Sequence, residues 1–530
     1  MSLLAINNLS LDIGSTPILR DVSLSIPKGK IFGLAGESGA GKSMTALSIM
    51  GLLPHAAITR GTIALDGDDL LSKSERQMCA VRGRHVGMVF QEPMSALNPL
   101  HTIGAQVAET VIVHERVSRA EALERAAQML DRVGLSAAHI PMDRFPHELS
   151  GGQRQRVVIA MAMVLRPKLI IADEPTTALD VTAQAQILDL LRGLVDEDGV
   201  SLMLITHDLA VMAQMADDLA ILRRGEIIES GPTPALLRHL NHDYSKTLLK
   251  STALRPLRTP HDIKQDKPIL EARHIVCRYE KSGFRAVDDV SLSINKGENV
   301  GLVGESGCGK STLLRALLAL HAPQEGQVLL RGAAFKPGAN AQSKAQRKDI
   351  QMVFQDPYGS FNPRHKVSRL VAEPFHLDGK KRTGAERRAA VVEMLQRVGL
   401  AAADADKYPH QFSGGQRQRI AIARALITRP SLVALDEAVS ALDVTARARV
   451  LALLADLSDD LGVSFLFVSH DLGVVRAICD RVLVMRGGKI VENGPVEDVF
   501  AHPRHPYTKA LIAATPDLET ALAARERRPA

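Results

Sequence analysis

The sequence consists of two similar halves that form an internal repeat. The phrase ADEPTTALD at 172–180 recurs as LDEAVSALD at 435–443, and His207 recurs as His470, in both cases 263 positions later. A single hydrophobic core stops growing at about 250 to 300 residues. A chain of 530 residues with this repeat is therefore predicted to form two similar domains.

The boundary between the two domains is predicted from local composition. STALRPLRTPHDIKQDK at 251–267 contains two prolines, charges of both signs and no hydrophobic period, which is typical of a linker. We therefore predict a first domain over 1–250, a linker over 251–267 and a second domain over 268–530.

Composition narrows the class of protein. The chain is 45% apolar and 23% charged, as ordinary globular domains are. Its apolar stretches, such as VVIAMAMVL at 157–165, fall short of the ~18 to 20 residues that span a bilayer. We expect no signal peptide, because the first residues lack a basic region followed by an apolar run. Four cysteines without a CxxC pair argue against a disulfide framework or a structural zinc site.

The net charge leaves two interpretations open. A charge of +6 suits nucleic acid or an anionic membrane surface, but the basic residues are interleaved with acidic ones. This pattern favours a solvated mixed surface, and we predict no nucleic-acid partner.

Each half has the pattern of an α/β domain. Short aliphatic runs such as IFGLAG at 31–36 and KLIIAD at 168–173, separated by helical segments, are typical of buried parallel strands. The start of each half, LLAINNLSLDI at 3–13 and ILEARHIVCRY at 269–279, predicts antiparallel strands. A helical insert in each half is predicted to open with a capping box. The two boxes are Ser118 with Glu121 and Thr383 with Glu386.

Both halves contain a phosphate-loop motif. GESGAGKS at 36–43 and GESGCGKS at 304–311 match G-x-x-x-x-G-K-[ST], each after an aliphatic strand and before a helical stretch. The glycines let backbone amides face phosphate oxygens, the lysine reaches the terminal phosphates and the serine ligates Mg²⁺. A glycine-rich turn with an exposed lysine is the alternative, but two matches in one context argue against it. The residues predicted to bind ATP and Mg²⁺ here are Gly36, Gly39, Gly41, Lys42, Ser43, Gly304, Gly307, Gly309, Lys310, Ser311 and Thr312.

An Asp-Glu pair ends an apolar strand in each half. Asp173 and Asp436 are predicted to hold Mg²⁺, since a cation makes a carboxylate tolerable in such a place. The adjacent Glu174 and Glu437 are predicted to point to the other side of the strand end, where each accepts a proton from an attacking water. A charge pair that opens a turn is the alternative, and the upstream phosphate loop argues against it.

These motifs together resemble a known family. LSGGQRQR at 149–156 and FSGGQRQR at 412–419, with both phosphate loops and both Asp-Glu pairs, are similar to the nucleotide-binding domains of ATP-binding cassette (ABC) proteins. The resemblance covers nearly the whole chain. It implies an α/β fold of two tandem domains, each with a P-loop NTPase core, an antiparallel β subdomain and an α-helical subdomain.

The resemblance also implies how two ATP sites are completed. Cassettes of this family pair head to tail, so that the SGGQ segment of one closes over the nucleotide of the other. The first segment would then complete the site of Lys310, and the second the site of Lys42. The residues of the two segments are Ser150, Gly151, Gly152 and Gln153, and Ser413, Gly414, Gly415 and Gln416.

Three further pairs of residues match positions of the family. One is the Q-loop glutamine, which senses Mg²⁺ and contacts the transported partner. Another is the switch histidine, which contacts the γ-phosphate, and the third is the D-loop aspartate. The pairs are Gln91 and Gln355, His207 and His470, and Asp180 and Asp443.

The catalytic turn differs between the halves. Ala438 and Val439 stand where the first half has Pro175 and Thr176. A proline fixes φ and lowers the conformational entropy of a turn, which contributes about 0.4 to 1 kcal/mol to stability. Its loss is expected to make the turn more flexible. We expect Glu437 to stay in place and both sites to hydrolyse ATP.

The adenine contact differs as well. Tyr279 stands where the family stacks an aromatic ring on the base, whereas alignment of LSLDI with IVCRY puts Ile13 there in the first half. An aliphatic contact lacks ring stacking. We therefore expect the first site to bind ATP more weakly.

Two other features have more than one interpretation. Cys308 in the second phosphate loop is either a redox switch at a helix N-terminus or a small residue that fills the loop, and the sequence favours the second. HPRH at 502–505 is either a nickel-binding pair of histidines or part of an exposed C-terminal tail, and again the sequence favours the second.

Other phrases resemble the ATPase subunits of oligopeptide, dipeptide and nickel importers. They are FQEPMSALNPLHTIG at 90–104, FQDPYGSFNP at 354–363, and the extensions NHDYSKTLL at 241–249 and RHPYTKALI at 504–512. The resemblance implies two such subunits fused in one chain that energises a bacterial peptide importer, with nickel or glutathione import as alternatives.

The same resemblance implies location and partners. The chain would be a peripheral protein on the cytoplasmic face of the inner membrane, bound to two membrane permease subunits that an extracytoplasmic solute-binding protein supplies. A soluble twin-cassette translation factor and a DNA-repair ATPase are the rivals from other classes. The short, proline-broken linker argues against the first, and the lack of zinc-spaced cysteines argues against the second.

Overall fold

The computed structural model describes residues 2–92, 96–177, 179–252, 254, 256–258, 267–279, 283–338, 341–379 and 381–526. The chain divides into two compact units. The first comprises Met1–Leu179, Ala183–Thr252 and Pro516–Ala530, and the second comprises Asp180–Thr182 and Ala253–Thr515. Residues 259–266, in the middle of the predicted linker, lie outside the described part of the chain.

The described part of the first unit forms one antiparallel and one mainly parallel sheet. Its strands are β1 (Ser2–Ile13), β2 (Thr16–Pro27), β3 (Ile31–Ala35), β4 (Ala57–Leu65), β5 (Asp68–Asp69), β6 (Val86–Val89), β7 (Leu169–Asp173), β8 (Ser201–Ile205), β9 (Asp218–Arg223) and β10 (Glu226–Pro232). The antiparallel sheet has the order β2-β1-β4-β5, and the other has the order β10-β9-β3-β8-β7-β6 with only β10 antiparallel. The predicted antiparallel start and parallel core are confirmed.

The parallel sheet separates two apolar clusters. Leu169 and Ile171 of β7 face a cluster that also contains β1, β2 and the first helix after β3. Ile170 and Ala172 face the helices on the opposite side. Alternate residues of a strand point to opposite faces, so a continuous apolar run is what a strand buried on both faces requires.

The second unit repeats this topology. Its strands are β11 (Leu270–Arg278), β12 (Arg285–Ile294), β13 (Val300–Val303), β14 (Glu325–Leu330), β15 (Ala333–Ala334), β16 (Ile350–Val353), β17 (Leu432–Asp436), β18 (Ser464–Val468), β19 (Arg481–Arg486) and β20 (Lys489–Pro495). The sheets have the orders β12-β11-β14-β15 and β16-β17-β18-β13-β19-β20. The repeat seen in the sequence is therefore a repeat of structure.

Helices pack on the sheets of both units. In the first half of the chain they are α1 (Lys42–Met50), α2 (Glu75–Val81), α3 (Ile103–His114), α4 (Arg119–Arg132), α5 (Gly151–Met163), α6 (Val181–Asp198), α7 (Leu209–Met215), α8 (Thr233–Arg238) and α9 (Asp243–Thr252). In the second half they are α10 (Lys310–Leu317), α11 (Ala341–Asp349), α12 (Val367–Val371), α13 (Gly384–Arg397), α14 (Gly414–Leu426), α15 (Val444–Leu461), α16 (Leu472–Ile478), α17 (Val496–Ala501), α18 (Pro506–Ala513) and α19 (Leu518–Glu526). Short 3-10 turns occur at Pro146–Glu148, Glu373–Leu377, Ala402–Asp406 and Pro409–Gln411.

The helical inserts begin where the sequence predicts. Ser118 Oγ accepts a hydrogen bond from the amide of Glu121 at 3.1 Å and begins α4. Thr383 and Glu386 form a full capping box at the start of α13. Each box satisfies amides that the first helical turn leaves without partners.

Besides the short segment Asp180–Thr182, the chain changes unit after Thr252 and after Thr515. After α9, Arg258 lies in the second unit, where its guanidinium pairs with Asp459 at 2.8 Å and Asp480 at 3.4 Å. After α18, the helix α19 lies in the first unit. There Leu522 is buried in the core, and Arg525 donates to the backbone oxygen of Gln214 at 3.3 Å.

Across the described ranges, every helix is too short or too polar to cross a bilayer.

Candidate functional site

A glycine-rich loop joins β3 to α1 in the first unit and β13 to α10 in the second. Gly41 and Gly309 precede these helices with φ of 109° and 110°, a conformation that glycine adopts readily and other residues avoid. A Cβ at Gly36 would lie 2.3 Å from the carbonyl oxygen of Leu222. Glycine is therefore required at these places, and each loop leads into a helix N-terminus, where anions bind.

The loop lysines bond to carbonyl groups of their own loops. Lys42 Nζ donates to the carbonyl oxygens of Gly36 at 2.8 Å and Glu37 at 3.0 Å. Lys310 Nζ makes the equivalent bonds at 2.7 and 2.8 Å. Each lysine is only 5% exposed. Each loop therefore carries a buried ammonium group, which suits a phosphate ligand.

Asp173, the last residue of β7, lies beside Ser43 of the loop. Burial raises the pKa of Asp173, and the hydrogen bond from Ser43 opposes this. Asp173 Oδ1 is buried and has no hydrogen-bond partner within the described part of the chain. A buried carboxylate oxygen without a partner is costly unless a cation or a donor reaches it. Ser43 and Asp173 therefore fit a divalent cation. Asp436 ends β17 at the same point, and burial raises its pKa too.

Glu174 and Glu437 follow the strand ends in a rare backbone conformation. Their φ angles are 47° and 46°, in the left-handed region that is sparsely populated by residues other than glycine and is often found at functional sites. This turn interrupts the alternation of the strand. Glu174 Oε1 lies 4.0 Å from Lys42 Nζ, on the loop side. The prediction that Glu174 points to the other side of the strand end is wrong.

Three neighbouring side chains hold the carboxylate of Glu174. Gln91 Nε2 and Thr177 Oγ1 donate to its Oε2 at 3.1 and 3.0 Å. His207 Nδ1 lies 3.3 Å from its Oε1. The structure therefore brings together the catalytic residues that the sequence predicts for the first half, and it adds Thr177.

The surroundings of Glu174 favour its ionised form. Burial opposes ionisation, but the hydrogen bond and charge of His207, the charge of Lys42 and the bond from Thr177 outweigh it and lower the pKa to about 2. The carboxyl group is ionised at neutral pH and can accept a hydrogen bond from water.

The second unit repeats this cluster with one change. Gln355 Nε2 donates to Glu437 Oε2 at 2.8 Å, and His470 Nδ1 lies 3.3 Å from Glu437 Oε1. Burial opposes ionisation, but His470 and Lys310 outweigh it and lower the pKa of Glu437. Ser440, at the position of Thr177, donates instead to the backbone oxygen of Glu437 at 2.8 Å.

The helices that follow position the two histidines. Asp208 Oδ1 accepts from the amide of Ala210 at 2.8 Å and begins α7. Asp471 Oδ1 accepts from the amide of Gly473 at 2.9 Å and begins α16. Each cap fixes the turn between strand and helix, and the histidine lies in that turn.

The SGGQ segments begin α5 and α14. The amide of Gln153 donates to Ser150 Oγ at 3.3 Å, and the amide of Ser150 donates to Gln153 Oε1 at 2.9 Å. Ser413 and Gln416 form the same box at 3.4 and 3.0 Å. Within each unit the serine and glutamine therefore fix a helix N-terminus. The glycines after each serine are the first residues of the helix.

Tyr279 lies beside the second phosphate loop. Its ring is 55% exposed, and its hydroxyl lies 3.3 Å from Thr312 Oγ1. Ile13 is the last residue of β1, opposite Thr16. The second loop thus has an exposed ring next to it, and the aligned position in the first unit carries an aliphatic side chain.

The structure bears on the two sequence features that have more than one interpretation, Cys308 and HPRH at 502–505. Burial raises the pKa of the Cys308 thiol, which is the opposite of what a redox switch requires and favours the loop-filling interpretation. His505 Nδ1 accepts from the amide of Tyr507 at 3.1 Å and begins α18. The prediction that HPRH belongs to an exposed tail is wrong, because the chain continues as α18 and α19.

Sequence reasoning missed two sets of residues at the loops. Thr177 belongs to the repeated motif, and one sequence alone does not show that its hydroxyl reaches Glu174. Tyr244 and Tyr507 belong to the extensions. Their hydroxyl groups each lie 2.9 Å from a backbone amide of a phosphate loop. Their recurrence at one place in both halves was the available signal.

Family models match both halves of the chain. The ABC transporter model matches residues 19–177 and 287–440. The model of the oligopeptide/dipeptide transporter C-terminal region matches residues 228–286 and 491–530. The motifs and the extensions are therefore both matched twice.

Full-length relatives are similar to the chain. The peptidoglycan transport ATP-binding protein YejF of Agrobacterium fabrum is 44% identical over 533 residues, which cover 98% of this chain and 97% of that protein. The glutathione import ATP-binding protein GsiA of Escherichia coli O157:H7 is 42% identical over 565 residues, which cover 98% of this chain and 90% of that protein.

A solved structure is also similar to one half of the chain. The structure of cbiO1 from Clostridium perfringens, described as part of an ABC transporter complex, is 29% identical with a TM-score of 0.41, and it covers 45% of this chain and 92% of that one. The two family matches and the full-length relatives show that the chain belongs to the ABC transporter family, as an ATP-binding protein with two ATPase cassettes and the oligopeptide/dipeptide transporter C-terminal region.

Proposed function

We propose that this chain energises a bacterial importer of short peptides by hydrolysing ATP at two sites, one on each phosphate loop. One observation carries the proposal. In each unit a glutamate whose pKa is lowered, against the effect of burial, by a histidine that lies close to it and by the charge of the loop lysine is bonded to a glutamine. This is the set of groups that phosphoryl transfer to water needs: a phosphate cradle, and a base to orient the water.

The phosphate loops would bind the nucleotide. Lys42 and Lys310 would exchange their bonds to loop carbonyl groups for bonds to the β- and γ-phosphates, which are stronger acceptors because they are charged. The loop glycines and the first residues of α1 and α10 would supply backbone amides. Tyr279 would stack on the adenine of the second site.

Both sites also have ligands that suit Mg²⁺. Ser43, Asp173 and Gln91 would hold the ion in the first unit, and the partnerless Oδ1 of Asp173 supports this. In the second unit the ligands would be Ser311, Asp436 and Gln355. When bound, Mg²⁺ would neutralise charge on the phosphate oxygens.

Glu174 and Glu437 would act on the attacking water. Each carboxylate would accept a hydrogen bond from water and then its proton, as a general base does. His207 and His470 lie against the same carboxylates. There they would orient the base and contact the γ-phosphate.

The proposal includes the domain plan and the pairing that the family resemblance implies. The domains would be 1–250 and 268–530, joined by 251–267. Ser150, Gly151, Gly152 and Gln153 would complete the site of Lys310, and the equivalent segment from Ser413 to Gln416 the site of Lys42. The position of each segment supports this role, because each begins a helix whose N-terminal end favours anions.

The partners would be two membrane permease subunits and an extracytoplasmic solute-binding protein. The chain would bind the permeases from the cytoplasmic face of the inner membrane, as a peripheral subunit. Full-length similarity to two import or transport ATP-binding proteins supports this. The matched C-terminal regions weigh against a translation factor.

Glutathione is the second candidate cargo. It is itself a small peptide, and a relative named for its import covers 98% of this chain. Nickel import stays as the metal alternative.

Uptake in a strain deleted for this chain tests the proposal. Labelled short peptides, labelled glutathione and labelled nickel are offered separately, and the strain is complemented with the parent chain or with the Glu174→Gln, Glu437→Gln double variant. We expect peptide uptake to fall, the parent chain to restore it and the double variant to fail. Loss of glutathione uptake alone would move the chain to the second candidate. Loss of nickel uptake alone would contradict the peptide proposal.

A further inference from the structure

Each phosphate loop is bonded to the extension of its own unit. Tyr244 lies in the first turn of α9, and its hydroxyl oxygen accepts a hydrogen bond from the amide of Glu37 at 2.9 Å. Tyr507 lies in the first turn of α18, and its hydroxyl oxygen accepts from the amide of Glu305 at 2.9 Å. Glu37 and Glu305 are the second residues of their loops. The same contact therefore occurs twice, at the same place.

The extensions are built to aim these tyrosines. His242 Nδ1 accepts from the amide of Tyr244 at 3.0 Å, and His505 Nδ1 accepts from the amide of Tyr507 at 3.1 Å. Each histidine thus satisfies an amide at the start of a helix. The backbone of each tyrosine, from which the ring extends, is thereby fixed within the extension.

Strand β10 and strand β20 anchor the turn before each tyrosine. Glu229 Oε1 accepts from the amide of Asn241 at 2.7 Å. Glu492 accepts from the amides of Arg504 at 2.8 Å and His505 at 3.0 Å. The extension is therefore held to the sheet edge by charged hydrogen bonds, which are among the stronger ones in proteins.

An arginine from the neighbouring strand covers each ring. The guanidinium of Arg223 lies 4.9 Å from the ring centre of Tyr244, and that of Arg486 lies 5.0 Å from the ring centre of Tyr507. These are cation–π distances. Tyr507 is 5% exposed, and Tyr244 is half-buried. The rings are thus fixed by packing that does not involve the hydroxyl groups.

The bonded peptide units are the ones that hold the lysines. The carbonyl oxygen of Glu37 accepts from Lys42 Nζ at 3.0 Å, and that of Glu305 accepts from Lys310 Nζ at 2.8 Å. The tyrosine therefore fixes the amide side of a residue whose carbonyl side holds the phosphate-binding lysine. A shift of this residue would shift the lysine.

We propose that Tyr244 and Tyr507 are positioning residues that set the affinity of their own unit's phosphate loop for ATP. The proposal rests on the proposed function, because it takes Lys42 and Lys310 as the phosphate-binding groups. A loop that is already ordered loses less conformational freedom when the nucleotide binds. The extension is then part of the nucleotide site of each unit.

Tyr→Phe variants test the proposal, because they remove the hydroxyl and keep the ring and its arginine. Tyr244→Phe and Tyr507→Phe, alone and together, are measured in the full chain by titration with a fluorescent ATP analogue and by the KM and kcat of ATP hydrolysis. Loss of one buried hydrogen bond predicts a roughly three- to tenfold rise in Kd and KM at the altered site. We expect kcat to change less than about twofold.

Tyr408→Phe is the matched control, since Tyr408 precedes the 3-10 turn Pro409–Gln411 and its ring stacks on His410. It should leave Kd and KM unchanged. Thermal unfolding without nucleotide is measured for every variant. A lower Tm with unchanged Kd in both loop variants would overturn the proposal, because the hydroxyl groups would then only stabilise the fold. Unchanged Kd with unchanged Tm would overturn it as well.

Failure of the underlying function is distinguishable. If Lys42→Ala and Lys310→Ala leave ATP binding intact, the assignment of the loops is wrong, whatever the tyrosine variants do. If the lysine variants lose binding and the tyrosine variants bind as the parent does, only the positioning role is wrong.

Discussion

The turns after β7 and β17 hold their glutamates at nearly the same φ and differ in one hydrogen bond to the carboxylate. Glu174 and Glu437 share a left-handed φ, and each contacts one glutamine and one histidine. In the first turn Thr177 adds a bond to the carboxylate, whereas in the second Ser440 bonds a backbone oxygen. The second turn has Ala438 where the first has Pro175, and Glu437 is nevertheless in the place that the sequence predicts. Each glutamate is therefore held by partners far away in the chain, and the turn residues adjust how firmly it is held.

A second difference lies at the other end of the site. The second loop has Tyr279 with its hydroxyl near Thr312, and the first has Ile13 at the aligned position. On the proposed function, the first site would have the more restrained base and the second the better contact for adenine. We expect the first site to be limited by binding and the second by positioning of the base.

The largest expected effect comes from removing the loop lysines one at a time. Lys42→Ala and Lys310→Ala should each weaken ATP binding at one site by roughly 10- to 100-fold, since a hydrogen bond to a charged group contributes about 1.5 to 3 kcal/mol. Titration with a fluorescent ATP analogue should show one class of sites lost in each variant. Two classes of sites with the parent's ATP affinity in either variant would show that the altered lysine does not bind ATP, and the comparison between the two sites would no longer hold.

The pH dependence of stability should follow the glutamates. The pKa of Glu174 is lowered from an ordinary value of 4.5 to about 2, so its ionised form stabilises the fold above pH 4.5 and this contribution is lost as the pH falls toward 2. The shift corresponds to about 3 kcal/mol at most, and the raised pKa of Asp173 opposes it. Urea unfolding should show Glu174→Gln less stable than the parent at pH 6, with the difference in free energy of unfolding smaller at pH 3 and closing only as the pH approaches 2.

Glu437→Gln is the internal control for this measurement. The pKa of Glu437 is lowered by the same kind of contacts. The difference in free energy of unfolding between Glu437→Gln and the parent should therefore also shrink as the pH falls. A difference that widens on acidification in either variant would contradict the assigned environment.

Substitutions at Ile13 and Tyr279 test the expected difference in ATP affinity between the two sites. An aromatic contact contributes about 0.5 to 1.5 kcal/mol beyond burial, or roughly two- to tenfold in affinity. Ile13→Tyr should tighten the first site, and Tyr279→Ile should weaken the second. The same titration measures both. If Ile13→Tyr leaves the weaker site unchanged, the alignment of Ile13 with Tyr279 does not describe an adenine contact.

The smallest expected effect is that of the turn hydroxyl. Thr177→Val keeps the branched shape and removes the bond to Glu174 Oε2, so ATP hydrolysis should fall by only roughly two- to fivefold, because Gln91 still donates to the same oxygen. Ser440→Ala is the matched control and should change the rate less than twofold, because its bond is to a backbone oxygen. Equal effects of the two variants would show that the turns do not differ in function.

The motifs and the fold could be predicted from the sequence because their signals are local. Alternation of apolar runs, the glycines of the loops and the capping boxes each act over a few residues. The direction of Glu174 could not be predicted, because it depends on one left-handed φ that nothing in the phrase ADEPTTALD requires.

The contacts made by the extensions were also beyond prediction. The bond from Glu37 to Tyr244 joins residues far apart in the chain, and the sequence shows that the tyrosine recurs but not which residue it contacts. The same holds for Leu522, which is buried in the first unit although it follows the second. The sequence of its helix, LETALAARE, gives no sign of which core it enters.

The ATPase rate of Glu437→Gln in the assembled complex tests the central claim most directly. The claim is that both turns catalyse hydrolysis, although the second lacks the proline and the threonine bond. We predict that Glu437→Gln and Glu174→Gln each lower the steady-state rate, and that the double variant falls by roughly 10²- to 10⁴-fold, the contribution of a general base. A rate for Glu437→Gln equal to that of the parent, with Glu174→Gln inactive, would show that only the first site hydrolyses ATP.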